Sequence, residues 1–432
     1  MPSMKHVLIV SPYFPPSVLA AVHRGRLLAK HLPEAGWQPT VLCVDETFHA
    51  ETLDPELTKL LPADLNVVKT KALPVRLTRL VGIGDLSLRA FHHLKASLHR
   101  ILDIQPIDVV FITGSPFYPM LYSRWLKRQY GKPIILDFQD PWVSRYGAAQ
   151  SRFSKIGLAH WLGTWLEPHA LRYADFITSV SDLQNADMAR RYAWLDADRM
   201  AAIPIGGDAD DFEYLRRHGR PCPWLPTLPN TFIFGYVGNI WPGAHRSLET
   251  LFAAMAQLKR QSPQLYERLR LVFVGSSNQP MASNAEVVMP FARRHGIAEN
   301  VSEEPRRIPY LDALNVMTRS DALLMLGSDE QHYTASKLYP SLLTKRPVLG
   351  IFHAQSNLCS IAEAIGGVLL VKFDDVASVE TKVGEIAQSL VTLAEGRAII
   401  RQIDRSQLKP YVGPAIAHRF ADIFDRVATP AR

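Results

Sequence analysis

The chain has 432 residues, 47% of them hydrophobic and 21% charged, with a formal net charge of +7. This composition predicts a soluble globular protein of two or three domains, and no apolar run approaches the roughly 20 residues of a membrane-spanning helix. The three cysteines are odd in number and scattered, which argues against a disulfide framework and for a reducing, cytoplasmic compartment.

Short apolar runs alternate with helical stretches through the first half of the chain. Buried strands are predicted at 6–10, 39–44, 109–113, 133–138, 176–180 and 200–205. Helices are predicted between several of them, for example at 20–36 and 120–131. This alternation predicts a parallel sheet covered on both faces. Residues 1–205 are therefore expected to form one Rossmann-like domain.

A basic stretch interrupts this pattern. Residues 69–100 hold seven Lys and Arg against one acid, Asp85, with leucines interleaved. A basic amphipathic helix of this kind can lie on an anionic membrane surface. It can equally be an ordinary surface helix whose apolar face packs on the core, and both interpretations stay open. The positive net charge alone is weak support for a nucleic-acid partner, and none is expected.

The second half repeats the alternation after a break. Residues 206–230 hold four prolines and three glycines and are predicted to be a linker. Strands are then predicted at 231–240, 269–277, 321–327, 346–352 and 366–373. A second α/β domain is therefore expected over 231–412, followed by an amphipathic helix at 413–430. Asp208 and Asp210 could hold a divalent metal, but turn and helix capping are favoured there, so no metal site is predicted.

Several loops that follow strands carry candidate site residues. The loop at 11–17 has no glycine, which disfavours a nicotinamide or flavin enzyme, because a dinucleotide fold needs glycines there. Asp140 follows a strand and could accept substrate hydroxyls, or it could cap the turn before Pro141. Gly238 would let a ligand approach the backbone, and Asn239, His245 and Arg246 could grip a phosphate.

The segment "TASKLYPSLL" predicts a helix start that suits a diphosphate. Ser336 is a candidate N-cap, Lys337 adds a positive charge, and the first free N–H groups follow. Pro340 is tolerated only in the first turn of a helix, so the helix is expected to begin at about 337–339.

The order and spacing of these segments resemble one known family. "SPYFPP", "GKPIILDFQDPW", "IPIGGDADDF", "FGYVGNI" and "ASKLYPSLLTKRPVLG" are similar to segments of the family-4-like GT-B glycosyltransferases, across nearly the whole chain. The resemblance implies an α/β fold of the GT-B type, with two Rossmann-like domains whose parallel sheets face a central cleft. It also implies that the last helix returns to the first domain.

The resemblance implies a function and assigns roles to residues. It implies transfer of a sugar from a nucleoside diphosphate sugar to an acceptor hydroxyl, with retention of configuration. Asp140, Arg246 and Lys337 are the expected catalytic residues. The expected donor-binding residues are Gly238, Asn239, His332, Ser336 and Leu338. The expected acceptor-side residues are Pro16, Ser17, Arg24 and Ser115. The donor is a substrate, and no cofactor or metal is expected.

The chain also departs from the family pattern. The family often has two glutamates eight residues apart, and His332 and Pro340 stand at their positions here. Asp329, Glu330 or Glu363 could substitute in binding the ribose. The departure leaves open a non-catalytic GT-B protein that binds a nucleotide or a partner, and, with less support, a nucleotide-sugar 2-epimerase. We also expect a sugar or lipid-linked acceptor in surface polysaccharide or glycolipid synthesis, and peripheral attachment to the inner face of the cell membrane.

Overall fold

The chain folds into two compact units in a computed structural model that describes residues 4–277, 285–328 and 336–429. The first unit comprises Met1–Ile205 and Gly413–Arg432, and the second comprises Gly206–Val412. Each unit is built on one parallel sheet, so the α/β fold of two Rossmann-like domains predicted from the alternating pattern is confirmed.

The first unit contains a seven-stranded parallel sheet in the order β3-β2-β1-β4-β5-β6-β7. Its strands, in chain order, are β1 (Lys5–Val10), β2 (Trp37–Val44), β3 (Asn66–Thr70), β4 (Val109–Gly114), β5 (Ile134–Phe138), β6 (Phe176–Ser179) and β7 (Met200–Ala202). Its helices are α1 (Val22–His31), α2 (Val75–Thr78), α3 (Leu86–Ile104), α4 (Ser123–Tyr130), α5 (Arg145–Ala148), α6 (Lys155–Leu171), α7 (Asp182–Arg191) and, after the second unit, α17 (Gly413–Ala428).

Both faces of this sheet are covered by apolar side chains, as its near-continuous apolar strands require. Leu8 and Val10 point into a cluster that contains the inner face of α3. Val7 and Ile9 point to the opposite face, into a cluster that contains the apolar side chains of α17. The last helix therefore packs on the sheet of the first unit, although more than 200 residues separate it from that unit's β7.

The second unit contains a six-stranded parallel sheet in the order β10-β9-β8-β11-β12-β13. Its strands are β8 (Phe232–Val237), β9 (Leu269–Val274), β10 (Val301–Glu304), β11 (Ala322–Leu326), β12 (Val348–His353) and β13 (Val368–Phe373). Its helices are α8 (Ala209–His218), α9 (His245–Gln261), α10 (Pro263–Tyr266), α11 (Met289–Arg294), α12 (Tyr310–Arg319), α13 (Leu338–Leu343), α14 (Asn357–Ile365), α15 (Val383–Ala394) and α16 (Arg405–Leu408).

The predicted linker at 206–230 is part of the second unit instead. It contains α8, whose first turn is capped by the Asp208 carboxylate accepting the Asp210 N–H at 3.1 Å. Tyr310 of α12 donates a hydrogen bond to Asp211 of α8 at 2.8 Å. The prolines and glycines of this segment indicated irregular structure, but the capped helix and its contact with α12 tie it to the second unit.

Helix α3 explains the basic stretch at 69–100. Its apolar face, which includes Leu86, Leu94 and Leu98, is buried in the core, and its Arg89 donates hydrogen bonds to the Leu73 and Phe48 carbonyls. The helix is thus a surface helix with a core-facing side, and its leucines are not available to a bilayer. Among the described residues, no helix combines the length and hydropathy needed to cross a membrane.

Candidate functional site

The carboxyl edge of the second sheet is lined by glycines. Three neighbouring strands, β8, β9 and β11, each end immediately before a glycine: Gly238, Gly275 and Gly327. The chain passes from β8 to β9 and β10 on one side, and then crosses to β11 on the other side of β8. In open α/β sheets, ligands bind at such a switch point, outside the carboxyl ends of the strands. A Cβ added to Gly275 would have no neighbour closer than 3.9 Å, so the backbone is open to a ligand there.

Lys337 lies over this edge. A methyl group placed on Gly238 would fall 1.7 Å from Lys337 Nζ, so the amino group occupies the space that a side chain at 238 would need. Nζ also lies 6.0 Å from the ring centroid of Tyr236, near the end of β8. Gly238 has a φ of +123°, which L side chains rarely adopt. The structure therefore brings together two of the residues that sequence reasoning selected, Gly238 and Lys337.

The electrostatic state of Lys337 suits an anionic ligand. Burial of the ammonium and, to a smaller extent, the positive charge of Arg307 together lower the pKa of Lys337 from 10.5 to about 8. Neither cause depends on a ligand, so the protein itself holds a partly desolvated cation beside a second cation. A bound diphosphate would raise the pKa of Lys337 again, because a nearby negative charge favours the protonated amine.

The amino end of α9 reaches the same edge. The Ser247 hydroxyl, in the first turn of this 17-residue helix, donates a hydrogen bond to the Gly327 carbonyl at 3.0 Å. No side chain caps the first turn of α9. A 3₁₀ turn at Pro242–Ala244 runs directly into α9, and the His245 N–H donates to the Pro242 carbonyl. The positive end of the helix dipole lies beside the end of β11, where it favours negative charge.

The other residues expected to bind the diphosphate, Arg246, His245 and Asn239, contact other protein groups instead. Arg246 makes a two-point ion pair with Glu380, with Nε–Oε1 at 2.7 Å, and about half of its side chain is exposed. Its predicted place on the diphosphate therefore requires this ion pair to open. The ring of His245 packs against Phe291 at 5.0 Å, and burial lowers its pKa. The Asn239 carbonyl accepts a hydrogen bond from the Tyr236 hydroxyl.

The helix start was predicted correctly, but its cap was not. Helix α13 begins at Leu338 with Pro340 in its first turn, as the proline required. Lys337 occupies the N-cap position, no side chain caps the helix, and Ser336 is exposed in the preceding turn. His332, Asp329 and Glu330 lie outside the described residues. Glu363 is paired with Lys372 on the surface of the second unit and is not held ready for a ribose.

In the first unit, Asp140 and Ser115 lie at the carboxyl edge of the sheet. Asp140 follows β5 and Ser115 follows β4, and β4 and β5 pair with each other. Asp140 is exposed, yet surrounding protein atoms desolvate it and raise its pKa. Within the described part of the chain, its carboxylate has no hydrogen bond that would support the turn-capping alternative. Asp140 thus remains a candidate to meet an acceptor hydroxyl.

Arg24 is a structural residue, and its predicted acceptor-side role is corrected. Its side chain is fully buried, and its guanidinium donates to the Asp137 carboxylate at 3.2 Å and to the carbonyls of Ile203 and Pro204. Asp137 also accepts hydrogen bonds from the hydroxyls of Thr113 and Thr178. This network joins α1 to the carboxyl ends of β4, β5 and β6, and it leaves no group of Arg24 for a substrate.

Ser17 and Pro16 are held by a neighbouring loop, so Ser17 is also misassigned as an acceptor contact. The Ser17 hydroxyl is buried and donates to Glu51 at 2.6 Å, while the Pro16 carbonyl accepts the Asp54 N–H at 2.7 Å. His49 contacts the same carboxylate oxygen of Glu51 at 2.9 Å. Glu51 keeps part of its side chain exposed, and it is the polar group of this loop that a substrate could reach.

Sequence reasoning missed several residues of these two edges. Gly275, Gly327 and Ser247 belong to the edge of the second sheet, Arg307 acts on Lys337 through its charge, and Glu51 belongs to the first unit. A signal existed for the glycines, because "FVGSS" and "MLGS" each place a glycine directly after an apolar strand. Nothing local in the sequence marks Ser247 or Glu51, whose partners are distant in the chain.

Replacing Gly238 by alanine should remove nucleotide binding. The added methyl group would overlap Lys337 Nζ and would also strain a φ of +123°. We expect affinity for a nucleotide to fall by about 100-fold, because a displacement of about 1 Å at a charged contact has effects of that size. The matched control is Gly296→Ala in the same unit, with a φ of +65° and nothing within 4 Å. Thermal unfolding with and without nucleotide measures both variants; equal nucleotide responses would contradict the assignment.

Comparisons with known proteins agree with this architecture. Residues 21–206 match the family model of the glycosyl transferase 4-like domain. The N-terminal domain of trehalose-6-phosphate phosphatase from Candida albicans has a similar fold (TM-score 0.61, 13% identity, 98% of this chain and 97% of that chain covered). So does Anabaena Alr3699/HepE, solved in complex with UDP-glucose (TM-score 0.56, 14% identity, 98% and 97% covered).

A third solved structure with this fold is the UDP-GlcNAc 2-epimerase of Methanocaldococcus jannaschii (TM-score 0.52, 9% identity, 98% of this chain and 100% of that chain covered). No curated protein matches the chain by sequence. Identities this low establish the fold alone.

Proposed function

Because the chain has the GT-B fold and carries a glycosyl transferase 4-like domain at residues 21–206, we propose that it is a glycosyltransferase that uses a nucleoside diphosphate sugar. The observation that carries this proposal is the desolvated ammonium of Lys337 over Gly238, at the switch point of the second sheet. Such an ammonium favours a negatively charged ligand, and the diphosphate of a sugar donor is one. UDP is the first nucleotide to test, since HepE was solved with UDP-glucose.

The proposed chemistry depends on the charge that develops as the donor breaks. When the bond between the sugar and the diphosphate is cleaved, the leaving diphosphate gains negative charge and the sugar gains oxocarbenium character. Lys337 and the positive end of the α9 dipole would stabilise that charge in the transition state. A diphosphate neutralised in this way needs no metal ion, and we propose metal-independent transfer with retention of configuration.

On the acceptor side, the proposal gives Asp140 the role of receiving the acceptor hydroxyl. Its raised pKa reflects desolvation, and a carboxylate that is less well solvated is a stronger hydrogen-bond acceptor. Glu51, held by Ser17 and His49, is a second carboxylate at the same sheet edge. The proposed acceptor is a sugar or a lipid-linked sugar in the synthesis of a surface polysaccharide or glycolipid.

A second function is favoured by one specific observation. His332 and Pro340 stand where the family often has its two glutamates, and Glu363, a possible substitute, is paired with Lys372 on the surface. A GT-B protein that binds a nucleotide or a partner without catalysis is consistent with this loss. A 2-epimerase has less support, because Glu363 was one of only two residues that suggested it.

The experiment that separates these functions has two steps. Thermal unfolding is measured with UDP, GDP, ADP and CMP and with their common sugars, and release of the free nucleotide from any stabilising sugar is then followed with added acceptors. Stabilisation by one nucleotide class together with release establishes the transferase. Stabilisation without release under any condition establishes the binding protein, and conversion of the sugar to its epimer establishes the epimerase. No stabilisation by any nucleotide would overturn the transferase, the epimerase and the nucleotide-binding protein, and would leave only a protein that binds a partner.

A further inference from the structure

Helix α6 of the first unit shows the reverse of the usual amphipathic pattern. Its large apolar side chains, and Phe153 just before it, are exposed to between 36% and 102% of their full area: Phe153, Ile156, Leu158, Trp161, Leu162 and Trp165. Scattered single apolar residues on a surface are ordinary, but Leu158, Trp161, Leu162 and Trp165 share one face of α6 at its 3.6-residue period. Such a surface in a protein that otherwise buries its apolar residues indicates an interaction site.

The inner side of α6 shows why the large residues face outward. Gly157 and Gly163 are buried on that side, and a methyl group on Gly163 would lie 3.1 Å from the ring of Trp142. The buried carboxylate of Glu167 is bound to Arg191 and Tyr192 of the neighbouring region. The helix therefore packs on the unit through small residues and one fixed carboxylate, so the exposed tryptophans are not displaced core residues.

A second exposed apolar segment lies at 73–83. Leu77, Leu80 and Val81 are exposed to 64%, 84% and 73% of their full area, in a short helical turn between β3 and α3. This segment follows β3, and α6 follows β5, so both begin at the carboxyl edge of the first sheet. The Tyr118 ring lies edge-on to Trp142 beneath α6, with the ring centroids 6.0 Å apart, and burial, followed by the charge of Asp85 just after the 73–83 segment, raises the pKa of Tyr118.

The charges around the two segments have one sign. No acidic residue occurs at 65–84 or at 141–166, whereas exposed Lys71, Arg76 and Arg79 lie in the first stretch and exposed Arg152 and Lys155 in the second. Exposed apolar side chains with tryptophans, in segments whose own Lys, Arg, Asp and Glu residues are all basic, match the boundary between acyl chains and anionic headgroups. A second copy of the chain would bring the same positive charges together, which disfavours self-association through this surface.

We propose that the α6 surface (153–165) together with the 73–83 segment docks the first unit on an anionic lipid bilayer. The attachment expected from the basic stretch at 69–100 is thereby moved from α3, whose leucines are buried, to residues whose apolar side chains are exposed. The inference rests on the proposed function only in placing a membrane-linked acceptor near the carboxyl edge of the first sheet. Binding to vesicles is measured without donor or acceptor, so its failure and that of the proposed activity can be told apart.

The test is sedimentation of the purified full chain with vesicles that contain phosphatidylglycerol, compared with vesicles of phosphatidylcholine alone. We expect binding to the anionic vesicles, and a loss of about tenfold or more in the double variant Trp161→Ser, Trp165→Ser, because each buried indole contributes to partitioning. Arg76→Gln with Arg79→Gln should weaken binding to anionic vesicles and reduce its salt dependence. The matched control is Trp194→Ser, which changes a tryptophan of the same unit that is 45% exposed and contacts Arg172.

Three outcomes would overturn the proposal. The wild type fails to sediment with any vesicle, or the double tryptophan variant binds as well as the wild type, or sedimentation velocity without lipid shows a dimer that the double variant abolishes. Quenching by brominated acyl chains adds a direct readout. We expect lipid-dependent quenching of the wild type and much weaker quenching of Trp161→Phe, Trp165→Phe, which keeps the surface apolar and so keeps the protein bound.

Discussion

Lys337→Met should abolish nucleotide binding and, at the same time, make the free protein more stable. Methionine keeps most of the apolar stem and removes the charge that the protein desolvates. Loss of a cation aimed at the leaving group is expected to reduce kcat/KM by about 100- to 1000-fold. The pKa of Lys337, lowered from 10.5 to about 8, corresponds to a cost of about 1–3 kcal/mol for keeping the lysine charged in the folded state near pH 7.

The pH dependence of this difference has a definite sign. The pKa is lower in the folded than in the unfolded protein, so the charged lysine destabilises the fold below pH 8. This cost disappears as the pH rises from about 8 toward 10.5 and the folded lysine loses its proton. The stability advantage of Lys337→Met should therefore be largest at neutral pH and should shrink above pH 8. Chemical unfolding of both proteins across this range measures it.

Nucleotide binding by the wild type should also weaken above pH 8. A bound diphosphate favours the charged lysine, so binding takes up a proton and weakens by about tenfold between pH 8 and pH 9 or slightly above. Any residual binding by Lys337→Met should not show this dependence. A variant that is less stable than the wild type and still binds the nucleotide would show that Lys337 has a structural role, and the proposed donor site would then be wrong.

Most of the strands could be predicted from the sequence, because buried parallel strands consist of apolar runs. The two strands that the sequence did not reveal, β3 and β10, each lie at one edge of their sheet, whereas the strands at the opposite edges, β7 and β13, were predicted. An edge strand has one neighbour and is partly exposed, so its sequence is mixed: β3 is "NVVKT" and β10 is "VSEE". In β10, the Glu303 carboxylate accepts hydrogen bonds from the backbone N–H groups of Val287, Val288 and Met289 at the start of α11. Because this role needs a charged side chain, β10 does not appear as an apolar run in the sequence.

The site residues also fall into two groups, those that a local sequence pattern indicates and those whose contacts depend on residues distant in the chain. Gly238 and Lys337 were found because each stands in a local pattern, a glycine after an apolar strand and a lysine before a helix. The position of Arg246 was not predictable, because its partner Glu380 is 134 residues away in the chain. Arg24 failed for the same reason, since Asp137 is 113 residues away. Long polar side chains can choose among many partners, and only the folded chain decides which they meet.

Asp137→Ala should be among the most destabilising single substitutions in the first unit. It would leave the guanidinium of Arg24 fully buried without its counter-charge and remove the acceptor of the Thr113 and Thr178 hydroxyls. Breaking a buried pair by removing one partner costs about 3–5 kcal/mol, because an uncompensated charge stays in the core. Chemical unfolding measures the loss, and Asp425→Ala, which breaks the exposed pair with Lys5 in the same unit, should cost less than about 1 kcal/mol.

The double variant Arg24→Met, Asp137→Leu tests the physical reason. It removes both charges, so it should be more stable than Asp137→Ala even though it changes two residues. The single variant Arg24→Met distinguishes the structural role of Arg24 from the acceptor contact that its position after the first loop suggested. If Arg24→Met kept full stability and raised only the KM for an acceptor, the arginine would face the substrate. The buried network predicts the reverse, because every donor group of Arg24 that the structure pairs is turned toward Asp137 and the Ile203 and Pro204 carbonyls.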